Sequence, residues 1–356
     1  MSEPFEPASL PVGTFVSWRG HEVQIYSHYP EAQRAEGKDC MVEDDSGNPE
    51  DASYADILPL PTRSTPQLEP VADGEDPLSV PVRTLGTATM EGGMKVITVV
   101  NNAGGVGKTS LVQNIGYEFA QAGLKVLLID GDRQANLTSW NGIFKVEEDD
   151  TLHPIVASKK APLPKPQHVH GMDLIPSFWD LGDTEKIAAT LELRDALRDR
   201  LTELRGRWDV VLFDSPPAMG QLTTMAAIAS DFLIVPISTR LKGVEALQGV
   251  TKFLADIRNY NPKLEIAMFV PTMFDSRRNS DKEAYQFMQE QIPAQMLASP
   301  VPERLKFWDA AAKEGKPVTL YAPHSPVAED VRRLAGEIAA AIGVELGVRT
   351  GTDGAE

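Results

Sequence analysis

The stretch Lys95-Val96-Ile97-Thr98-Val99-Val100-Asn101-Asn102-Ala103-Gly104-Gly105-Val106-Gly107-Lys108-Thr109-Ser110 decides how the chain folds. Its opening is a compact β-branched run, as expected of a strand buried in a parallel sheet. A glycine-rich turn follows. Leu111, Ile115 and Phe119 then recur at helical spacing until Gly123 stops the run. Strand, glycine-rich turn and helix in that order make a cradle for phosphate. Glycines let backbone N–H groups close around an anion, and the helix N-terminus favours negative charge. Lys108 has the reach for the β- and γ-phosphates of a nucleotide, and the Thr109 hydroxyl is the expected Mg2+ ligand. The first glycine position of the usual pattern is held by Asn102. The bland alternative is an ordinary strand-to-helix turn, which Gly107-Lys108-Thr109 at this junction makes the weaker reading.

Downstream, Val126-Leu127-Leu128-Ile129 reads as the next strand and ends in Asp130-Gly131-Asp132-Arg133-Gln134-Ala135-Asn136-Leu137-Thr138. Two acids closing a strand beside a phosphate loop can hold a metal-bound water and orient an attacking one; such sites work by positioning and electrostatics. Val210–Phe213 is a third buried run. It ends in Asp214-Ser215-Pro216-Pro217, where Asp214 is placed to assist Mg2+ and the prolines stiffen the loop. Each acidic strand end alone could be a solvated turn; together with the loop they point to one nucleotide site. Apolar runs at Phe232–Pro236 and Ile266–Val270 alternate with helical stretches near 184–205, 243–258 and 281–292. A last helix near 326–342 carries Val331, Leu334, Ile338 and Ile342. The expected fold is therefore α/β, a doubly wound, mainly parallel sheet.

The chain has 356 residues with 34 Lys+Arg against 51 Asp+Glu, a formal charge of −17. Residues 1–90 account for −11 of this and the remainder for −6, so the acidity belongs mainly to an N-terminal appendage. The larger part is near enough to neutral for a local basic face to meet DNA. Residues 1–60 carry short alternating runs, among them Phe15, Val23 and Ile25, with Arg19-Gly20 as a possible turn. They read as a small acidic β-rich module. Residues 61–90, punctuated by prolines, read as a linker. The domain proper is expected over 91–346, with a flexible tail at 347–356. The one cysteine, Cys40, rules out an intrachain disulfide and a cysteine-held cluster, and fits a reducing compartment. The start lacks a secretory pattern, no run is long enough to span a bilayer, and the residues after Ile342 lack a basic amphipathic anchor. His168 and His170 show no metal-ligand spacing, and Lys159-Lys160 with Pro162, Pro164 and Pro166 marks a loop.

The chain resembles the ParA/MinD family of deviant Walker-A ATPases over about residues 94–342. Gly104-Gly105-Val106-Gly107-Lys108-Thr109 is similar to the family's phosphate loop. Asp130-x-Asp132-x-Gln134-x-Asn136-x-Thr138 resembles its second nucleotide motif, and Asp214-x-Pro216-Pro217 its third. Thr272-Met273-Phe274-Asp275 and Gly315-Lys316-Pro317-Val318 resemble two later segments. The details favour the ParA branch. The resemblance implies a Mg2+-dependent ATPase, ATP + H2O to ADP + phosphate, slow until a partner stimulates it. ATP would close a homodimer that binds double-stranded DNA without sequence preference. A ParB-like adaptor would then trigger hydrolysis and release. Partition of a plasmid or chromosome is the implied purpose, and a cytoplasmic, nucleoid-associated location with no membrane partner goes with it.

Carried over by position, Lys108, Asp130 and Asp132 are the catalytic residues, with Asp132 orienting the hydrolytic water. Gly104, Gly105, Val106, Gly107, Lys108, Thr109 and Ser110 hold the phosphates, and Thr109, Asp130 and Asp214 serve the metal. Thr272, Met273 and Pro302 lie near the adenine. One departure stands out: the family's signature lysine before the double glycine is Ala103 here, and Arg133 replaces a usual proline. Either Arg133 or another residue supplies the missing charge, or the protein is a catalytically weak ATP-gated switch for a protein partner in replication control, conjugation or cargo positioning. Arg277, Arg278, Arg304, Lys306, Lys313, Lys316, Arg332 and Arg333 could form a DNA-contacting face or simply be scattered solvated charge.

Overall fold

A computed structural model describes strand residues 15–18, 21–28, 40–43, 49–52 and 57–58, and then residues 93–158, 160–178, 194–240 and 242–346. The chain divides into two units, Met1–Gly74 and Glu75–Glu356. The first holds β1 (Phe15–Trp18), β2 (His21–His28), β3 (Cys40–Glu43), β4 (Pro49–Ala52) and β5 (Ile57–Leu58). They form an antiparallel sheet in the order β4-β3-β2-β1-β5, with Trp18 opposite His21. The expected Arg19-Gly20 turn, the 61–90 linker and the 347–356 tail lie outside the described residues.

The second unit is built on seven strands: β6 (Lys95–Val99), β7 (Val126–Asp130), β8 (Gln167–Val169), β9 (Met172–Ile175), β10 (Val210–Asp214), β11 (Phe232–Ser238) and β12 (Glu265–Thr272). Their order is β12-β11-β6-β10-β7-β9-β8. Every pairing is parallel except β8 with β9, a hairpin at one edge. This hairpin was not expected. Gln167-His168-Val169 is too short and polar to read as a strand. Its turn also uses His170 at φ 50° before Gly171, where asparagine or glycine is the usual signal.

Period-two alternation sorts the central strands onto two cores. Leu128, Val210 and Leu212 face α1 (Lys108–Gln121) and the helix Pro326–Ile342, while Leu127, Ile129, Val211 and Phe213 face the other layer. Helix α1 lies so close to the sheet that a Cβ on Gly116 would stand 2.6 Å from Leu128 Cδ2. After α1 come α2 (Asn136–Trp140), α3 (His153–Ala157), α4 (Ala196–Glu203), α5 (Gln221–Ala229) and α6 (Lys242–Arg258). Then follow α7 (Asn279–Gln291), α8 (Leu305–Lys313), α9 (Val318–Tyr321) and α10 (Pro326–Ile342). Within the span expected to be helical near 184–205, α4 covers Ala196–Glu203, and residues 179–193 lie outside the described set. Helix α10 starts on Ser325, whose hydroxyl accepts from the Ala328 N–H, and stops at Gly343 in the left-handed region. The doubly wound order places the ends of β6, β7 and β10 side by side, with chain crossing to opposite sides of the sheet. That crevice is where open α/β sheets bind ligands.

Candidate functional site

Asp214 stands opposite both Val99 of β6 and Asp130 of β7 in the strand registers, so the phosphate loop and two acids converge at one end of the sheet. The loop is shaped by its own backbone: Gly105 and Gly107 take φ of 68° and 92°, conformations that side chains resist. Asn101, fully buried, donates from its amide to the Pro236 carbonyl (2.6 Å) and accepts from the Ala103 N–H (2.8 Å). Lys108 Nζ donates to the carbonyls of Asn101 (3.2 Å) and Ala103 (3.0 Å). Burial pushes its ammonium down from the ordinary lysine range, and Asp214 and Asp132 pull it back.

Asp130 is fully buried. One carboxylate oxygen accepts from the Asp132 N–H (3.1 Å), the other from the N–H (2.9 Å) and hydroxyl (2.7 Å) of Thr138. Burial nevertheless raises its pKa to about 7, against those three hydrogen bonds. Asp214 is buried too, and neither of its oxygens has a hydrogen-bond donor in good geometry. Burial first, then the charge of Asp130, holds its carboxyl well above the usual range, with Thr109 and Lys108 opposing. A buried carboxylate whose oxygens are not held by donors in good geometry, beside a second one, is a donor set that fits a hard divalent cation with oxygen ligands. Asp132 accepts the Gln134 N–H at its own carboxylate (3.0 Å). Gly131 between the two acids has no room for a side chain: a Cβ would sit 2.4 Å from the Phe213 ring and 3.0 Å from the Asp214 carbonyl.

A cavity of about 390 Å3 opens above the loop, lined by residues 104–111, Asp132, Gln134, Thr272, Met273, Pro302 and Trp308 among others. All the residues expected at the phosphates line it, Ser110 included, and so do all three expected at the adenine. Asp130 and Asp214 do not line it; they are buried at their strand ends. The side expected to take the adenine is assembled by pairing distant segments. Val301 N–H donates to Pro271 O (2.8 Å), Phe274 N–H to Val301 O (3.1 Å) and Glu303 N–H to Phe274 O (3.1 Å), which sets Pro302 beside β12. The Thr272 hydroxyl donates to the Val106 carbonyl (2.9 Å), tying this side to the phosphate loop. Met273 holds a left-handed backbone, φ 58°.

Arg133 is exposed beside Asp132 and, among the described residues, forms no ion pair. The basic residues of the last third are mostly matched by acids. Arg277 forks onto Asp275 (2.9 and 2.8 Å) and holds that carboxyl below its ordinary range. Arg304 pairs with Asp330 (2.9 Å), Arg333 with Asp330 (3.3 Å), Arg332 with Glu118 (4.0 Å) and Lys316 with Glu314 (3.7 Å). Arg278 and Arg240 both meet Glu303. Two residues outside the expected set belong to the site's framework, Asn101 and Ser177. Ser177 follows Ile175-Pro176 at the end of β9, and a small polar residue ending a buried strand was the one available sign.

A model of the AAA domain family matches residues 94–267. The chain is 37% identical over 261 residues to a probable plasmid-partitioning protein ParA of Thermus thermophilus, covering 69% of this chain and 79% of that protein. Among solved structures, McdA of Cyanothece in an ATP complex superposes with a TM-score of 0.64 at 22% identity, over 72% of this chain and all (100%) of that one. A cobyrinic acid a,c-diamide synthase from Mycobacterium smegmatis with bound ADP and magnesium superposes with a TM-score of 0.56 at 28% identity, over 62% of this chain and 91% of that one.

Proposed function

The chain belongs to the ParA family of partition ATPases, and from that premise we propose that it is a nucleotide-controlled dimeric switch on DNA, acting in plasmid or chromosome partition from the cytoplasm. The reaction is Mg2+-dependent hydrolysis of ATP to ADP and phosphate. One observation carries the assignment of residues: Lys108 and Asp132 line a single cavity that Thr272, Met273 and Pro302 also line, and Asp130 and Asp214 stand opposite each other at the strand ends beside it. Loop N–H groups from Gly104 to Ser110 and the Lys108 ammonium bind the phosphates. Thr109 and Asp214 would hold the magnesium with Asp130 behind them, and the ion would supply neutralisation of phosphate charge. Asp132 lies on the cavity wall and orients the attacking water. Thr272, Met273 and Pro302 enclose the base.

Ala103 leaves the developing phosphate charge without the family's signature lysine. Arg133, exposed and without an ion pair among the described residues, follows Asp132 in the chain and is the candidate to supply it, across the interface of an ATP-closed homodimer. Opposed to this is the weak switch that gates a protein partner, which Ala103 itself favours. The ion pairs on Arg277, Arg304 and Arg333 reduce the charge free for DNA, so binding would be modest and strongly salt-sensitive.

Binding to random-sequence duplex DNA at low and moderate salt, with ATP, ADP or no nucleotide, tests the reading. ATP-dependent, salt-sensitive binding is expected, along with turnover stimulated by DNA and a ParB-like adaptor. No binding in any nucleotide state moves the assignment to the protein-directed switch. Arg133→Ala is expected to reduce turnover or ATP-dependent dimerisation; an unchanged variant removes Arg133 from the mechanism.

A further inference from the structure

Beneath the cavity a ring of hydrogen bonds closes through a residue that belongs to none of the nucleotide motifs. Asp132 N–H donates to Asp130 Oδ1 (3.1 Å), and the Thr138 hydroxyl donates to Asp130 Oδ2 (2.7 Å). Ser177 N–H donates to Thr138 Oγ1 (2.9 Å), and the Ser177 hydroxyl donates to the Asp132 carbonyl (2.7 Å), which closes the ring. Ser177 is 1% exposed, Thr138 2% and Asp130 0%, so each bond is made away from water, where an unmet donor or acceptor is costly.

We propose that Ser177 is a positioning residue for ATP hydrolysis, holding the Asp132 segment in register from the neighbouring strand. The argument is mechanical. Asp132 sits on a turn that leads into Ala135, a non-glycine residue at φ 52°. Such a conformation persists only where surrounding bonds over-determine it. The Asp132 carbonyl accepts from both the Ala135 N–H (2.9 Å) and the Ser177 hydroxyl. The first of these bonds belongs to the turn itself. The second anchors the turn to β9, whose Ile175 pairs with Ile129 just before Asp130. Without the Ser177 hydroxyl the carbonyl loses its external tether, and the Asp132 carboxylate is free to drift from the cavity wall. Misplacement of an orienting group acts on the chemical step rather than on ground-state binding. The inference rests on the reading of Asp132 as the water-orienting carboxylate.

The test compares wild type, Ser177→Ala, Asp132→Ala and the double variant, all as the full chain with Mg2+ and ATP. Turnover is measured per nucleotide-binding site, and affinity with a slowly hydrolysed ATP analogue. Loss of one buried hydrogen bond to the turn predicts a kcat about tenfold lower for Ser177→Ala, with analogue affinity within about threefold of wild type. In the Asp132→Ala background, Ser177→Ala adds no further loss, because it acts only through Asp132. Independent, multiplying losses overturn the proposal, as does affinity that falls in parallel with kcat. A silent Ser177→Ala beside an inactive Asp132→Ala overturns it alone, whereas normal turnover by Asp132→Ala overturns the reading of Asp132 and the proposal with it. If Ser177→Ala does not fold, Ser177→Cys keeps the side chain's reach with a weaker donor. Lower kcat at unchanged affinity then supports the proposal, and unchanged kcat overturns it.

Discussion

Replacing Asp130 by asparagine should stabilise the nucleotide-free protein progressively as pH rises. Burial lifts the Asp130 carboxyl from its ordinary 3.8 to about 7. Between those values the native state keeps the proton while the unfolded chain has lost it. The unfolded state binds fewer protons there, so stability falls with rising pH and levels off above the folded pKa. At ~1.4 kcal/mol per pH unit, wild type loses ~2 kcal/mol to this group between about pH 5.5 and pH 7. Asparagine does not titrate, so it escapes that loss. It carries a fixed cost instead. Its amide oxygen can accept from the Thr138 pair, but its NH2 then faces the Asp132 N–H, donor against donor, at about 1–3 kcal/mol. The fixed cost cancels in a comparison across pH. The stability of Asp130→Asn relative to wild type should therefore climb by ~2 kcal/mol over that interval. Repulsion between Asp130 and Asp214 adds to the climb. Urea denaturation at constant ionic strength, without nucleotide or magnesium, reads the difference at each pH. A difference that stays flat, or declines as pH rises, refutes the account of Asp130 as a carboxylate penalised by burial.

Other substitutions test the site's geometry. Gly131→Ala forces a methyl against the Phe213 ring and the Asp214 carbonyl; a loss of at least ~2 kcal/mol is expected by chemical denaturation, with weaker ATP binding. Met273→Val adds a β-branch to a left-handed backbone that methionine already holds at φ 58°; it should cost up to about 1 kcal/mol of further stability and weaken ATP binding measured by titration. Lys108→Ala should abolish ATP-dependent binding and turnover while the circular dichroism spectrum stays native. If that variant still binds and hydrolyses ATP normally, the phosphate-loop assignment is wrong.

Much of the site was legible because its chemistry is local. The phosphate loop, the Asp130–Thr138 segment and Asp214 each sit at the end of a buried apolar run, and a strand, a glycine-rich turn and a helix start can be recognised within twenty residues. The helix α10 and the strands β6, β7 and β10 follow from periodicity for the same reason. The charge of the last third is different. Arg277 and Arg304 are conspicuous as residues, yet their partners Asp275 and Asp330 are set by turns and helix packing.

The sequence by itself determined the α/β class, the glycine-rich turn between strand and helix and the acids that end the neighbouring strands, because residue type and short-range spacing carry that information. Only the tertiary structure decided what stands next to what. The register that puts Asp214 opposite Asp130 is a property of strand pairing, as is the bridge that brings Pro302 to Phe274, the residue after Met273. The same holds for the buried Ser177 hydroxyl on the Asp132 carbonyl, 45 residues away in the chain. Those contacts span long loops, and their energies come from desolvation and pairing that exist only once the sheet has formed.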